Sequence, residues 1–153
     1  MINACVIGLS TIGLLHCRNL IKIKKTQLTH VFDFNSKLGN EISKKFKCKT
    51  SNNFENILKD KSIKLFIIAS PTNTHEYYVK KLISHNKMIY CEKPILMNLN
   101  KLEPLVKKIK SKKIKFCVGL NRRFEKPYLK IKKQIQKKKI STIRIISRSA
   151  NHN

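Results

Sequence analysis

Acidic side chains are scarce in this sequence: 8 Asp and Glu stand against 34 Lys and Arg in 153 residues, a formal charge of +26. Arginine is scarce as well, limited to Arg18, Arg122, Arg123, Arg144 and Arg148, so few forked guanidinium donors exist for phosphate or guanine. No apolar run approaches the ~18 residues that a membrane span needs. Gly8 and Gly13 interrupt the N-terminal stretch where a secretory signal needs an unbroken apolar core. The five cysteines are odd in number, scattered and without a CxxC pair, which speaks against a disulfide framework. Cys5, Cys17, Cys48, Cys91 and Cys117 read as reduced core thiols. A soluble, cytoplasmic chain with no membrane contact is expected. His16, His30, His85 and His152 show no metal-ligand spacing with one another or with the cysteines, so no metal is expected.

The lysine excess has two readings. Basic stripes at 22–25, 107–115 and 130–139 invite a nucleic-acid partner whose binding weakens with salt. Joint enrichment in Lys, Ile and Asn is also what an AT-rich coding sequence produces, with lysine filling exposed positions. The aromatics lie in apolar runs and are not interleaved with the basic stripes, and no nucleic-acid module is present, so the compositional reading is preferred.

A hydrophobic content of 41% is enough to build a core of ordinary size. Ile2 to Ile7 is a short apolar run ended by Gly8, and Ile12, Leu15 and Leu20 then recur at helical spacing. Thr29 to Phe34 predicts a second strand, and Leu38, Ile42 and Phe46 a second helix. Asn53 caps a short helix with Phe54, Ile57 and Leu58, and Lys64 to Ala69 suits a strand buried on both faces. Thr74 is expected to cap a helix with Tyr78, Leu82 and Ile83 inward, followed by a strand from Met88 to Cys91. Leu99, Leu102, Leu105, Val106 and Ile109 form the stripe of the next helix, and Ile114 to Gly119 a further strand. Pro127 suits the first turn of a lysine-rich helix, and Thr142 to Ser147 alternates like a half-buried strand. Strands alternating with helices predict an α/β fold: a doubly wound parallel sheet of Rossmann type over 1–121, then a connecting helix and strand over 122–153.

Four segments sit where such a sheet binds ligands, at strand C-terminal ends. Gly8, Ser10 and Gly13 form a GxSxxG turn between the first strand and helix, where bare backbone and free helix N–H groups can meet a pyrophosphate. Two glycines near a turn also serve as a packing device. Asp33 lies 25 residues past Gly8, where a carboxylate accepts both hydroxyls of an adenosine ribose and repels a 2′-phosphate; it is otherwise a turn residue. NAD is therefore favoured over NADP, with Lys37 leaving a minority case for the latter. ASPTNTH (69–75) follows the third strand and CEKP (91–94) the fourth.

Together with GLNRRF (119–124), these motifs resemble, in order, the Gfo/Idh/MocA oxidoreductases, and within that family most closely its inositol 2-dehydrogenase branch. The resemblance implies that Gly8, Ser10, Ile12 and Gly13 hold the pyrophosphate and Asp33 the adenosine ribose. It also implies that Ser70, Pro71, Thr72, Asn73 and His75 face the nicotinamide side and that Glu92 touches the nicotinamide ribose. Lys93 matches the family's catalytic lysine, whose ammonium hydrogen-bonds the reacting hydroxyl of a sugar or polyol. Only its Glu-Lys-Pro setting separates Lys93 from the other lysines, which read as solvated. Pro94 is implied to be cis. Arg122 or Arg123 is expected to organise the cleft, with a plain surface basic pair as the alternative.

Family members are considerably longer and carry a second, α+β substrate domain with an Asp and a His near the reacting carbon. The sequence is thus expected to hold at most the first strand of that domain, at 142–147, with catalysis impaired by truncation. A catalytically silent NAD-binding module is the alternative, and a homo-oligomer stays open.

Overall fold

A computed structural model describes residues 1–137, and the strand expected at 142–147 lies outside the described residues. The first compact unit is Met1–Gly119. Its β-branched and apolar runs form five strands: β1 (Ile2–Ile7), β2 (Thr26–Phe32), β3 (Leu65–Ile68), β4 (Met88–Cys91) and β5 (Phe116–Val118). All pair in parallel, in the order β2-β1-β3-β4-β5.

Because side chains alternate along a strand, a sheet covered on both faces sends successive residues into different cores. Ala4 and Val6 of β1, with Ile67 of β3, join a cluster containing Cys17, Leu20 and Ile42, on the face of α1 (Thr11–Lys22) and α2 (Ser36–Phe46). Cys5 and Ile7, with Phe66 and Ile68, join the opposite cluster with Phe54, Tyr78, Leu82 and Leu105. The helices on that face are α3 (Phe54–Lys59), α4 (Thr72–Ser84) and α5 (Leu102–Ser111). This is the expected doubly wound sheet.

Several expectations need local correction. β2 starts at Thr26 and ends at Phe32, leaving Asp33 just past its end. The inward face of α1 is Gly13, Cys17 and Leu20, while Ile12 and Leu15 are exposed. The first turn of α1 packs so close to the β1 turn that only a glycine fits there, which rotates the larger apolar side chains outward. Thr74 is not the cap of α4. Pro71 occupies that position, and the Thr74 hydroxyl reaches back to donate to the Pro71 carbonyl at 2.7 Å. Leu99 lies in a 3-10 turn capped by Asn98 and is 77% exposed, outside the α5 stripe. Cys117 is an exposed thiol and Cys48 a half-buried one, while Cys5, Cys17 and Cys91 are buried as expected. Burial pushes Cys17 and Cys91 up to about 12, which keeps both as thiols. The Asn53 cap is present, its side chain accepting from the Glu55 N–H.

The second unit begins at Leu120. Within it a 3-10 turn (Asn121–Phe124) leads to α6 (Lys126–Lys137), with Pro127 in the first turn. No helix among the described residues is long and apolar enough to cross a membrane.

His30 on β2 is 8% exposed. Burial pushes its pKa below the ordinary 6.5, outweighing the opposite pull of Asp60, whose carboxylate lies 3.7 Å away; Lys49 adds to the lowering. Above about pH 6.5 both folded and unfolded chains hold this ring neutral. Below it the unfolded chain gains a proton that the folded chain resists, so stability falls as pH falls. Urea midpoints measured from pH 7.5 to 5.5 are expected to decline in the wild type and to decline less in His30→Gln; equal slopes would remove His30 as the cause.

Candidate functional site

In the strand order β2-β1-β3, the connection from β1 runs one way and the chain then returns across β1 to β3. The crevice of such a sheet opens where the order reverses, between β1 and β3. Gly8 ends β1 there with φ +84°, a backbone state that favours glycine. A Cβ on Gly8 would lie 2.4 Å from the Ser70 backbone at the end of β3, and one on Gly13 would lie 1.8 Å from the Gly8 carbonyl oxygen. Both glycines are therefore required by packing, and the same bareness leaves the turn open to a ligand. Ser10 is the N-cap of α1 but makes no side-chain cap bond, and the first turn holds no acidic residue, so its N–H groups stay available to an anion.

Asp33 is fixed by the turns on either side of it. Its Oδ2 accepts from the Leu9 N–H at 2.8 Å and its Oδ1 from the Asn35 N–H at 2.9 Å. The carboxylate thus faces the glycine turn and keeps further lone pairs for ribose hydroxyls. Phe34, next in sequence, is 97% exposed. The Asn35 side chain caps α2 by accepting from Lys37 and Leu38.

On the other side of Gly8 the loops after β3 and β4 are tied together. Ser70 Oγ lies 2.7 Å from Thr74 Oγ1; since Thr74 donates to Pro71, Ser70 donates to Thr74. Pro71 caps α4, and Thr72 and Asn73 begin it. His75 is buried, with Nε2 2.8 Å from the Ser70 carbonyl and Nδ1 2.8 Å from that of Pro94. Whichever nitrogen carries the proton donates to one of these loops, so the ring acts as a spacer between them and presents little surface to a ligand. The Lys93–Pro94 bond is cis and the Lys93 side chain is exposed.

Glu92 is held from two elements. The His16 Nε2–H of α1 donates to its Oε1 at 2.9 Å, and the Tyr90 hydroxyl to the same oxygen at 3.4 Å. The Tyr90 ring meets the His16 ring edge-on, with centroids 5.1 Å apart. Burial, reinforced by the adjacent carboxylate, pushes Tyr90 up to about 12, so it remains a donor. The motifs did not disclose His16 or Tyr90. The available signal was that His16 falls one helical turn after Gly13, on the face turned toward the sheet.

Gly8, Ser10, Gly13, Asp33, Ser70, Glu92 and Lys93 thus line the C-terminal edge of one sheet. Ile12 sits on the exposed side of α1, and Arg122 belongs to the unit that begins at Leu120.

Residues 2–120 match the Gfo/Idh/MocA oxidoreductase family, described as having an NAD-binding Rossmann fold. The chain belongs to this family. As a Gfo/Idh/MocA domain it is 29% identical over 147 residues to the myo-inositol 2-dehydrogenase of Thermotoga maritima, covering 94% of this chain and 44% of that protein. The crystal structure of myo-inositol 2-dehydrogenase from Lactobacillus plantarum superposes with a TM-score of 0.84 at 26% identity, covering 93% of this chain and 43% of that one. The scyllo-inositol dehydrogenase of Lactobacillus casei, solved with NAD(H) and scyllo-inositol bound, shares the fold with a TM-score of 0.85 at 23% identity, over 92% of this chain and 42% of that one. The chain therefore spans less than half the length of these Gfo/Idh/MocA relatives.

Gly13→Ala is expected to destabilise the domain by about 2–3 kcal/mol, since the added methyl meets a backbone carbonyl that cannot swing aside. Urea denaturation giving a loss below about 0.5 kcal/mol would show that α1 does not need this approach.

Proposed function

We propose that this chain holds NAD along the C-terminal edge of its sheet and forms the cofactor half of a dehydrogenase acting on a sugar or polyol hydroxyl. The observation that carries this reading is the meeting of Gly8 with the Ser70 backbone at the point where strand order reverses, beside a carboxylate already turned toward the same loop. Gly8, Ser10 and Gly13 bare the turn for a pyrophosphate, with Ile12 flanking it from the helix. Asp33 accepts the adenosine ribose hydroxyls, and its charge disfavours a 2′-phosphate, which makes NAD preferred over NADP. Phe34 offers an exposed ring beside that ribose, where an adenine can stack.

Ser70, Pro71, Thr72 and Asn73 border the nicotinamide side. His75 sets the spacing between that loop and the one bearing Lys93. NAD supplies the hydride acceptor when bound. Lys93, exposed at the end of β4, is positioned to donate a hydrogen bond to the oxygen of a reacting hydroxyl and to steady negative charge developing on it.

A second reading is a module that binds NAD without turnover. What favours it is that the groups gathered at the sheet edge among the described residues serve binding and orientation. NAD binding with no inositol-dependent NADH formation, even when a separate chain supplies the substrate domain, selects the second reading over the first.

The sequence contains no tryptophan, so Phe34→Trp introduces a single indole, excited selectively over the tyrosines at its red edge, beside Asp33. Its emission is expected to be quenched by NAD and to transfer energy to NADH. Asp33→Asn is expected to weaken NAD binding roughly 10- to 100-fold, the loss of charge-assisted bonds to the ribose. The dinucleotide reading fails if calorimetry on the unaltered chain detects no binding of NAD or NADH at millimolar concentration.

A further inference from the structure

Two donors converge on a single oxygen of Glu92. His16 and Tyr90 both engage Oε1, at 2.9 and 3.4 Å, and Oε2 has no donor among the described residues. Such a division is unusual in that a carboxylate can accept at about four positions spread over both oxygens. The surroundings enforce it. Gly119, at the end of β5, faces the carboxylate without a side chain, and a Cβ there would lie 2.9 Å from Oε2 and 2.9 Å from the Tyr90 hydroxyl. The side chains of His16 and Glu92 are 15% and 20% exposed, so the pair is largely shielded from water. Three separate parts of the chain therefore act on this one group: α1 and Tyr90 tether one oxygen, and the bare end of β5 keeps room beside the other.

We infer that His16 is a positioning residue for cofactor binding: by tying down Oε1 it reserves Oε2 as the acceptor for a hydroxyl of the nicotinamide-side ribose. The inference rests on the dinucleotide reading given above and extends it to a residue on the helix that begins at the pyrophosphate turn. A histidine suits the task because its rigid ring reaches across from α1 and its Nε2–H points one donor at one oxygen. Without it, Glu92 would be free to turn either oxygen to Tyr90, and the ribose would meet an unfixed acceptor.

The test separates the two ends of the cofactor. ADP carries the adenosine and pyrophosphate but lacks the second ribose, whereas ADP-ribose contains it. By calorimetry, His16→Leu is expected to bind NAD and ADP-ribose about tenfold more weakly than the unaltered chain while its affinity for ADP stays within twofold. His16→Gln, which keeps an N–H donor of similar reach, is expected to recover most of the loss. ADP also controls for displacement of α1, because a general disturbance of that helix would weaken all three ligands together. Equal losses for ADP and ADP-ribose, unchanged NAD affinity in His16→Leu, or failure of His16→Gln to recover binding each overturn the inference. Should His16→Leu fail to fold, His16→Phe, which keeps a ring of similar shape without a donor, carries the same comparison: a selective loss of ADP-ribose over ADP is expected and an equal loss overturns the proposal. If the unaltered chain binds neither NAD nor ADP, the dinucleotide reading falls and takes this inference with it; if it binds both and only the selective loss is missing, the inference alone falls.

Discussion

The contact on which the site depends is the approach of two backbones, Gly8 at the end of β1 and Ser70 at the end of β3. Neighbouring parallel strands are held at a set spacing by their hydrogen bonds, but past the last pair nothing fixes how their chains diverge. Here they stay close because Gly8 carries no side chain and adopts a left-handed backbone state. Gly13 repeats the economy one turn later and lets α1 settle onto the Gly8 carbonyl. Asp33 then draws in the same loop from the β2 side through the Leu9 N–H. A helix start, a carboxylate and the ends of three strands are thereby gathered with little side-chain bulk among them.

Much of this was legible before any coordinates. Apolar runs ending in Gly8, Asp33, Ser70 and Glu92 marked the strand ends because a strand buried on both faces must be apolar throughout and must stop where polar residues reach water. What could not be read were contacts bridging distant parts of the chain. His16 and Glu92 are 76 residues apart, and no local rule links a histidine on the first helix to the end of the fourth strand. The burial of His75 between two carbonyls is of the same kind, fixed by loops that become neighbours only after the sheet forms.

Other departures have a local origin. Ile12 and Leu15 looked inward because they recur with Leu20 at helical spacing, yet close packing gave the inner face to Gly13, Cys17 and Leu20. Hydrophobicity ranks side chains by transfer from water, whereas a helix pressed against a turn selects them by size. Leu99 continued the apolar spacing of α5 backward, but Asn98 starts a separate 3-10 turn and the stripe begins at Leu102. Thr74 looked like a cap by residue type, whereas Pro71 holds the cap position three residues earlier and α4 begins at Thr72.

The His75 ring bears on more than spacing. Because one imidazole touches the carbonyl of Ser70 with one nitrogen and that of Pro94 with the other, the loop after β3 and the loop after β4 share a strut. The ring donates to one of them and abuts the other, so an inward movement of either loop presses on its neighbour. Mechanically this rim of the sheet behaves as one jaw, so a displacement imposed at Ser70, beside the glycine turn, is transmitted to the peptide that bears Lys93.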